Sequence, residues 1–206
     1  MPSRHALLLA AAFLAAPALP SAAEPMKLEL PGDGDPVTAM VSGKGYRFLL
    51  RAPQGWILDS QGGASRGLTT VFYRKGETFK DAPAILYANV APRPGGEALD
   101  AFVARELARA RERSPDLRAV AAAPVRTASG NTADVRTVSG DRHGNREALA
   151  FLAERESFVI LVLSARSPEA FDAAMPAFRA FVQSYEPVSP DVPVVPGRGA
   201  AGPSSG

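Results

Sequence analysis

The segment FVILVL at residues 158–163 decides the fold of this chain. Every side chain in it is apolar, whereas a strand with one face in water carries a polar residue at every second position. This run therefore predicts a strand that is buried on both faces. A short turn over residues 154–157 connects it to an earlier strand at residues 146–153, so that the two can pair antiparallel. We expect residues 158–163 to lie at the centre of an antiparallel sheet.

Further strands precede this pair. Residues 120–128 and 132–140 are separated by the turn Ser129-Gly130-Asn131, and residues 141–145 form a second turn rich in residues that tolerate unusual backbone angles. Alternating, β-branched or aromatic residues predict three earlier strands, at residues 46–51, 68–73 and 84–90. The sheet should therefore contain about six to seven strands.

Two amphipathic helices should cover this sheet. Apolar residues recur at helical spacing over residues 97–113, with charged residues on the other side. A second helix begins at Ser167-Pro168-Glu169, which supplies an N-cap, a proline at the first helical position and an acid in the first turn. Its apolar stripe extends to Tyr185, and Pro176 within it predicts a kink or a break near residues 172–175.

These elements predict an α+β fold, in which an antiparallel sheet is covered by two main helices. We expect one domain over residues 45–187. Residues 24–44 are polar and contain PGDGDP, so they are predicted to be an irregular lead-in. The Pro/Gly-rich tail at residues 188–206 contains too little apolar surface to form a core, and we expect it to be disordered.

Residues 1–23 have the features of a cleaved secretory signal. Arg4 and His5 form a basic start, residues 6–19 are apolar, and Ser21-Ala22-Ala23 offers the small residues that a signal peptidase reads. The apolar run is short for a membrane span, which favours a cleaved signal over an uncleaved anchor. We therefore expect a soluble, exported protein, periplasmic or secreted, with no transmembrane segment after cleavage. The chain has no cysteine, so no lipid anchor is expected.

The charge pattern argues against a nucleic-acid partner. Without Arg4, 22 basic and 21 acidic side chains remain, so the mature chain is almost neutral. The densest basic run, at residues 105–113, is interleaved with Glu106 and Glu112 and has no aromatic neighbours that could stack on bases. We interpret this run as the solvated face of the first helix.

No motif in the sequence indicates a reaction. His143 is the only histidine after residue 23, and it lies in a predicted turn, where Ser139 and Asp141 are too close in sequence to converge on it easily as a triad. Glu154 and Glu156 flank another turn, where solvated side chains are common. With one histidine and no cysteine, transition-metal sites are not expected, and DGD at residues 33–35 lacks the remaining ligands of a calcium loop. We predict no catalytic residue, no metal and no cofactor.

The single tryptophan, Trp56, allows two interpretations: a platform for a ligand or a large residue that closes the core. It follows Pro53 and Gly55, and a type I turn over residues 52–55 would fold it back towards the sheet. Because aromatic side chains bury large apolar areas and the chain has no disulfides, the core role is favoured. Trp56, Tyr73 and Tyr87 remain the candidate lining of a ligand pocket.

One resemblance covers most of the domain. The opening F-x-L-x-x-P-x-G-W (residues 48–56) and the ending at residues 150–185, which includes Leu163-Ser164-Ala165 and Ser184-Tyr185, resemble the PsbP-like family and its DcrB-like bacterial envelope members. The resemblance implies an α/β/α sandwich and a non-catalytic accessory or binding role, with an envelope protein or a cell-wall component as the partner.

Three functions stay open at this point. The first is an exported, soluble, non-catalytic accessory or binding protein of the cell envelope. The second is a hydrolase or another enzyme whose site is assembled only in three dimensions. The third is a structural envelope protein whose proline-rich tail engages a wall polymer or a partner.

Overall fold

A computed structural model describes residues 37–68 and 70–188, without the side chain of Ser65. The predicted signal at residues 1–23, the lead-in up to residue 36 and the tail beyond Val188 lie outside the described residues.

Ten strands and two α-helices form within the described ranges. The strands are β1 (Thr38–Gly43), β2 (Tyr46–Arg51), β3 (Trp56–Asp59), β4 (Val71–Arg74), β5 (Ala84–Pro92), β6 (Arg118–Arg126), β7 (Thr132–Ser139), β8 (Arg146–Ala153), β9 (Ser157–Ala165) and β10 (Glu186–Pro187). The helices are α1 (Leu99–Arg113) and α2 (Pro168–Gln183). Seven strands form one antiparallel sheet in the order β3-β4-β5-β9-β8-β7-β6, and β1, β2 and β10 form a small second sheet.

The centre of the large sheet is β9, as its sequence predicted. It pairs with β5 on one side and β8 on the other, and all nine of its residues are buried. Its alternate side chains enter two separate cores. Val159, Leu161 and Leu163 face one core, and Phe158, Ile160 and Val162 face the other. The prediction of a strand covered on both faces is confirmed.

Each core is closed by a different layer. Helix α1 covers one face of the large sheet, where the ring of Phe102 stacks on Phe158 with the ring centroids 4.0 Å apart. Helix α2 and the small sheet share the other face, where Phe178 and Phe181 meet Phe48 and Leu50 of β2 in one core. The predicted α+β fold, an antiparallel sheet of six to seven strands covered by two main helices, is confirmed.

Three elements differ from the sequence prediction near the N-terminal end. Thr38–Gly43 is a strand, whereas residues 24–44 were expected to be irregular. Ala39 and Val41 face inward, but the apolar Met40 between them interrupts the apolar/polar alternation. Trp56–Asp59 forms an unpredicted edge strand. The strand expected from residue 68 begins at Val71, and a short 3₁₀-helix at Ala64–Arg66 with Gly67 as its C-cap precedes it.

The turn before Trp56 is displaced by one residue from its predicted position. The amide of Trp56 donates to the carbonyl oxygen of Pro53 at 2.9 Å, so the turn spans residues 53–56 and not residues 52–55. Gly55 is its third residue and has φ of +77°, which a type II turn requires and a type I turn does not. The left-handed backbone at Gly55 therefore decides the turn type.

Helix α2 is a single helix, and the predicted break near residues 172–175 is wrong. Pro176 cannot donate to the carbonyl oxygen of Asp172, which costs one helical hydrogen bond. Both residues are exposed, so water can solvate that carbonyl oxygen. The buried stripe of Phe171, Phe178 and Phe181 holds the rest of the helix against the sheet. Within the described part of the chain, neither helix is long and apolar enough to cross a membrane.

Candidate functional site

The three aromatic residues proposed from the sequence as a pocket lining do not meet. Trp56 is 6% exposed and belongs to the core under α2, which confirms its predicted role in closing a core. Tyr73 and Tyr87 belong to the core under α1, on the opposite face of the sheet. Trp56 pairs with Arg74 across β3 and β4, so Tyr73, one position earlier, must point to the other face.

The turn that contains His143 is organised by its neighbour Asp141. One carboxylate oxygen of Asp141, Oδ1, accepts the backbone N–H groups of His143 and Asn145, at 3.2 and 2.8 Å. The imidazole Nε2 accepts from Arg142 Nε at 3.0 Å. Among the described residues, no hydrogen bond joins the imidazole to Ser139 or to the Asp141 carboxylate, and these contacts are those of an Asx-type turn.

A pocket of about 300 Å³ opens at one end of the α2 side of the molecule. Three segments that are distant in sequence form its wall. These are residues 45–48 at the start of β2, residues 154–156 in the turn between β8 and β9, and the chain that follows α2, with Tyr185, Pro187 and Val188. Strand β10 brings the last segment to the pocket, because Glu186 and Pro187 pair with Leu49 and Phe48 of β2.

The floor of this pocket is aromatic. The rings of Phe48 and Tyr185 have centroids 5.2 Å apart, and those of Tyr46 and Phe48 are 6.2 Å apart. Phe48 and Tyr185 are almost fully buried and anchor the floor in the core, whereas Tyr46 is partly exposed. Tilted rings at these separations form a continuous apolar surface.

A short hydrogen bond fixes one wall of the pocket to its floor. The hydroxyl of Tyr185 donates to Glu154 Oε1 at 2.6 Å. Burial raises the pKa of Tyr185 and the bond to the Glu154 carboxylate raises it further, so the hydroxyl keeps its proton and remains a donor. Among the described residues, the second carboxylate oxygen of Glu154 has no hydrogen-bond partner.

The turn that carries the two pocket glutamates is held from outside the pocket. Arg93 donates from its side chain to the carbonyl oxygen of Glu154 at 2.8 Å and from its backbone N–H to that of Glu156 at 2.9 Å. Glu156 lies over Gly45, where a Cβ atom would come within 2.8 Å of Glu156 Oε2. Gly45 also has φ of +80°, so both the backbone and the neighbouring carboxylate favour glycine there.

A second polar cluster is enclosed on the α1 side, outside this pocket. Glu147 is 3% exposed and lies opposite Ser164 in the register of β8 and β9. Burial, the largest cause, raises the pKa of Glu147, a hydrogen bond with Ser164 lowers it, and the Asp141 carboxylate raises it, with a net pKa of about 8. One of its oxygens, Oε1, is buried without a hydrogen-bond partner, and burial together with Glu147 raises the pKa of Tyr87.

Sequence reasoning missed the polar groups of both places. Glu154 and Glu156 were expected to be solvated turn residues. Glu156 is exposed as expected, whereas Glu154 is partly buried and accepts from Tyr185, which was assigned only to the helix stripe. The available signal was a tyrosine at the end of an apolar stripe, since a buried tyrosine hydroxyl needs a partner. Glu147 carried a comparable signal, a lone acid in the otherwise apolar run EALAFLA at residues 147–153.

No group of three or more His, Cys, Asp or Glu side chains able to hold a metal ion occurs among residues 37–68 and 70–188. Polar side chains do converge at the pocket, but together with aromatic rings. The arrangement defines a three-layer α+β protein with a small pocket at one end, lined by three aromatic and four charged residues and formed where the two sheets and the chain after α2 meet.

Several solved structures are similar to this chain at low sequence identity. The cyanobacterial PsbP protein of Synechocystis is 19% identical, covers 78% of this chain and 98% of its own, and has a TM-score of 0.46. A Pseudomonas aeruginosa protein of unknown function is 15% identical, covers 71% of this chain and 94% of its own, and has a TM-score of 0.40. The yeast Ran-binding protein Mog1p is 11% identical, covers 72% of this chain and 90% of its own, and has a TM-score of 0.41.

Identities of 11–19% and TM-scores below 0.5 do not transfer a function to this chain. No protein-family profile and no curated protein matches the chain. The resemblance to the PsbP-like family and its DcrB-like envelope members stays a prediction.

Proposed function

We propose that this chain is an exported, non-catalytic accessory or binding protein of the cell envelope, and that the pocket beside Tyr185 is its binding site. The observation that carries the proposal is the hydrogen bond of 2.6 Å between Tyr185 and Glu154 in the pocket wall. It keeps the tyrosine protonated and occupies one carboxylate oxygen, so both groups are arranged to hold a partner in place.

Export is supported by the sequence of residues 1–23, with its basic start, apolar run and small residues at 21–23. The test is to express the natural chain and a Leu8→Arg variant and to separate the cell fractions. The natural chain should appear outside the cytoplasm with Glu24 as its first residue. The variant should stay unprocessed inside, because an arginine interrupts the apolar run. Cytoplasmic, unprocessed natural protein would contradict export.

The binding site is tested by crosslinking in living cells. A photoreactive amino acid in place of Tyr46 should form a discrete adduct with an envelope component, whereas the same amino acid in place of the exposed Val120 on β6 should not. Equal adducts from both positions, or none from Tyr46, would contradict a role for the pocket. The two positions are a matched pair, since each replaces a surface residue of a strand.

The alternative function is an enzyme whose site is assembled in three dimensions. Its strongest candidate residue is His143, whose imidazole accepts from Arg142 and not from a carboxylic acid or hydroxyl among the described side chains. A hydrolysis assay with simple esters and amides separates the two proposals. Turnover that is lost in His143→Gln but kept in Glu112→Gln would favour the enzyme.

A further inference from the structure

We propose that the pocket beside Tyr185 binds the ammonium group of a lysine side chain presented by a protein partner. This inference rests on the proposed function, because it names the chemistry of the partner at the same site. Three features of the pocket carry it: an aromatic floor, two carboxylates above that floor, and the position of the nearby arginine side chains.

The floor suits a cation on an apolar stem. Tyr46, Phe48 and Tyr185 form one aromatic surface, and the faces of aromatic rings attract ammonium groups. The four methylene groups of lysine can lie along such a surface while the charged end reaches the polar wall. A cavity of about 300 Å³ is large enough for one side chain of this size.

Two carboxylates stand at this floor, and neither forms an ion pair with a described residue. Glu154 is bonded to the floor residue Tyr185, and Glu156 lies over Gly45, directly before Tyr46. Within residues 37–68 and 70–188, no salt bridge involves either glutamate. Because Tyr185 donates to one oxygen of Glu154, the other oxygen can accept from a bound ammonium group.

The arginines at the rim do not cancel this acidic character at the floor. Arg47 and Arg155 both belong to the pocket lining. Arg47 lies between Tyr46 and Phe48 on β2, and side chains alternate along a strand, so its side chain leaves the strand face opposite to the two rings. Arg47 also has an interaction partner of its own. Arg155 and Glu156 are both exposed in this turn, whereas Glu154 is partly buried and bonded to Tyr185. An anionic ligand would therefore meet Arg155 at the rim but the Glu154 carboxylate at the floor.

The experiment uses three capped peptides that differ in one side chain, acetyl-Ala-X-Ala-amide with lysine, norleucine or glutamate at X. Binding to the full chain is measured by NMR chemical-shift titration at low and high salt. The lysine peptide should bind at least about tenfold more tightly than the norleucine peptide, and salt should weaken it. Shifts should concentrate at residues 45–48, 154–156 and 185–188.

Variants assign the binding to the carboxylates. Glu154→Gln and Glu156→Gln should each weaken the lysine peptide by about tenfold, because a charge-assisted hydrogen bond is lost. Glu112→Gln, on α1 and outside the pocket, is the matched control and should not weaken it. Glu154→Gln and Glu156→Gln should both retain the amide NMR spectrum of the folded protein, which separates lost binding from lost structure.

Equal binding of the norleucine peptide, tighter binding of the glutamate peptide, or no binding of the lysine peptide would overturn the inference. The proposed function can survive that result. If the crosslinker at position 46 still captures a partner and the lysine peptide does not compete, the pocket binds a different chemistry. If position 46 captures nothing, the site itself is wrong.

Discussion

Two glutamates of this protein each lie near a tyrosine, and their surroundings give them opposite properties. Glu154 is partly exposed at the pocket and accepts a hydrogen bond from Tyr185 at 2.6 Å. Glu147 is buried on the α1 side, near Tyr87 and Asp141, with one oxygen unpartnered and a pKa raised to about 8. The comparison shows that burial and partners, more than residue type, decide whether a carboxyl group is available to a ligand.

The two sides of the sheet differ in the same way. The α2 side contains Trp56, Phe48 and Tyr185, and its core continues into the pocket floor. On the α1 side, Glu147, Ser164 and Tyr87 are buried, and Asp141 is partly buried. We expect substitutions on the α2 side to affect both packing and binding, and substitutions at Glu147 to affect stability and its dependence on pH.

The largest effect is expected for Trp56→Ala. Removing this buried ring from the α2 side leaves a cavity, and the free energy of unfolding should fall by about 3–5 kcal/mol. Denaturant unfolding followed by circular dichroism measures the change. An unaltered midpoint would show that Trp56 contributes little to the core and would restore its interpretation as a ligand platform.

Glu147→Gln should stabilise the protein at neutral pH. Because the pKa of Glu147 is raised in the folded state, its contribution to the free energy of unfolding is fully present below its unfolded pKa near 4.5. That contribution is lost as the pH rises towards about 8. At pH 7 the difference between the folded and unfolded pKa values corresponds to roughly 3 kcal/mol of lost stability. The free energy of unfolding of Glu147→Gln should therefore exceed that of the natural chain by about this amount at pH 7 and by little at pH 4.

The measurement is urea unfolding of both proteins between pH 4 and 9. Glu154→Gln is the matched control, because its carboxyl group is partly exposed and it should not reproduce this pH-dependent gain. Parallel stability curves for the natural chain and Glu147→Gln across this range would contradict the raised pKa.

The smallest expected effects on stability are those of removing the hydroxyl groups of Tyr185 and Tyr87. Tyr185→Phe removes a donor from the Glu154 carboxylate and should lower the free energy of unfolding by about 1–2 kcal/mol. Tyr87→Phe removes a hydroxyl for which no hydrogen bond is found among the described residues, and it should change stability by less. Thermal unfolding of both variants tests the order. A larger loss for Tyr87→Phe would show that the buried cluster is the better bonded of the two.

The element types could be predicted because their patterns are long. The apolar run of β9, the helical spacing of α1 and the N-cap of α2 each place buried faces unambiguously, and all three recur in the structure. Short elements were missed. Strands β1 and β3 have six and four residues, which is too few for alternation to stand out from their polar surroundings.

The candidate site could not be predicted for a different reason. Tyr46, Glu154 and Tyr185 are far apart in sequence, and none of them belongs to a local motif. They meet because β10 pairs with β2 and because the β8–β9 turn lies beside the same strand end. The aromatic residues that looked most suitable in sequence, Trp56 and Tyr73, were separated by the sheet itself.

By itself, the sequence determined the class of fold, the central strand and the two covering helices, since local periodicity specifies which faces must be buried. It also contains the signal-like segment from which we predict export. Only the tertiary structure decided where the polar groups lie relative to one another. Strand pairing brought Glu154 to Tyr185 at a pocket and enclosed Glu147 under α1, because the environment of a carboxyl group depends on contacts between residues distant in the chain.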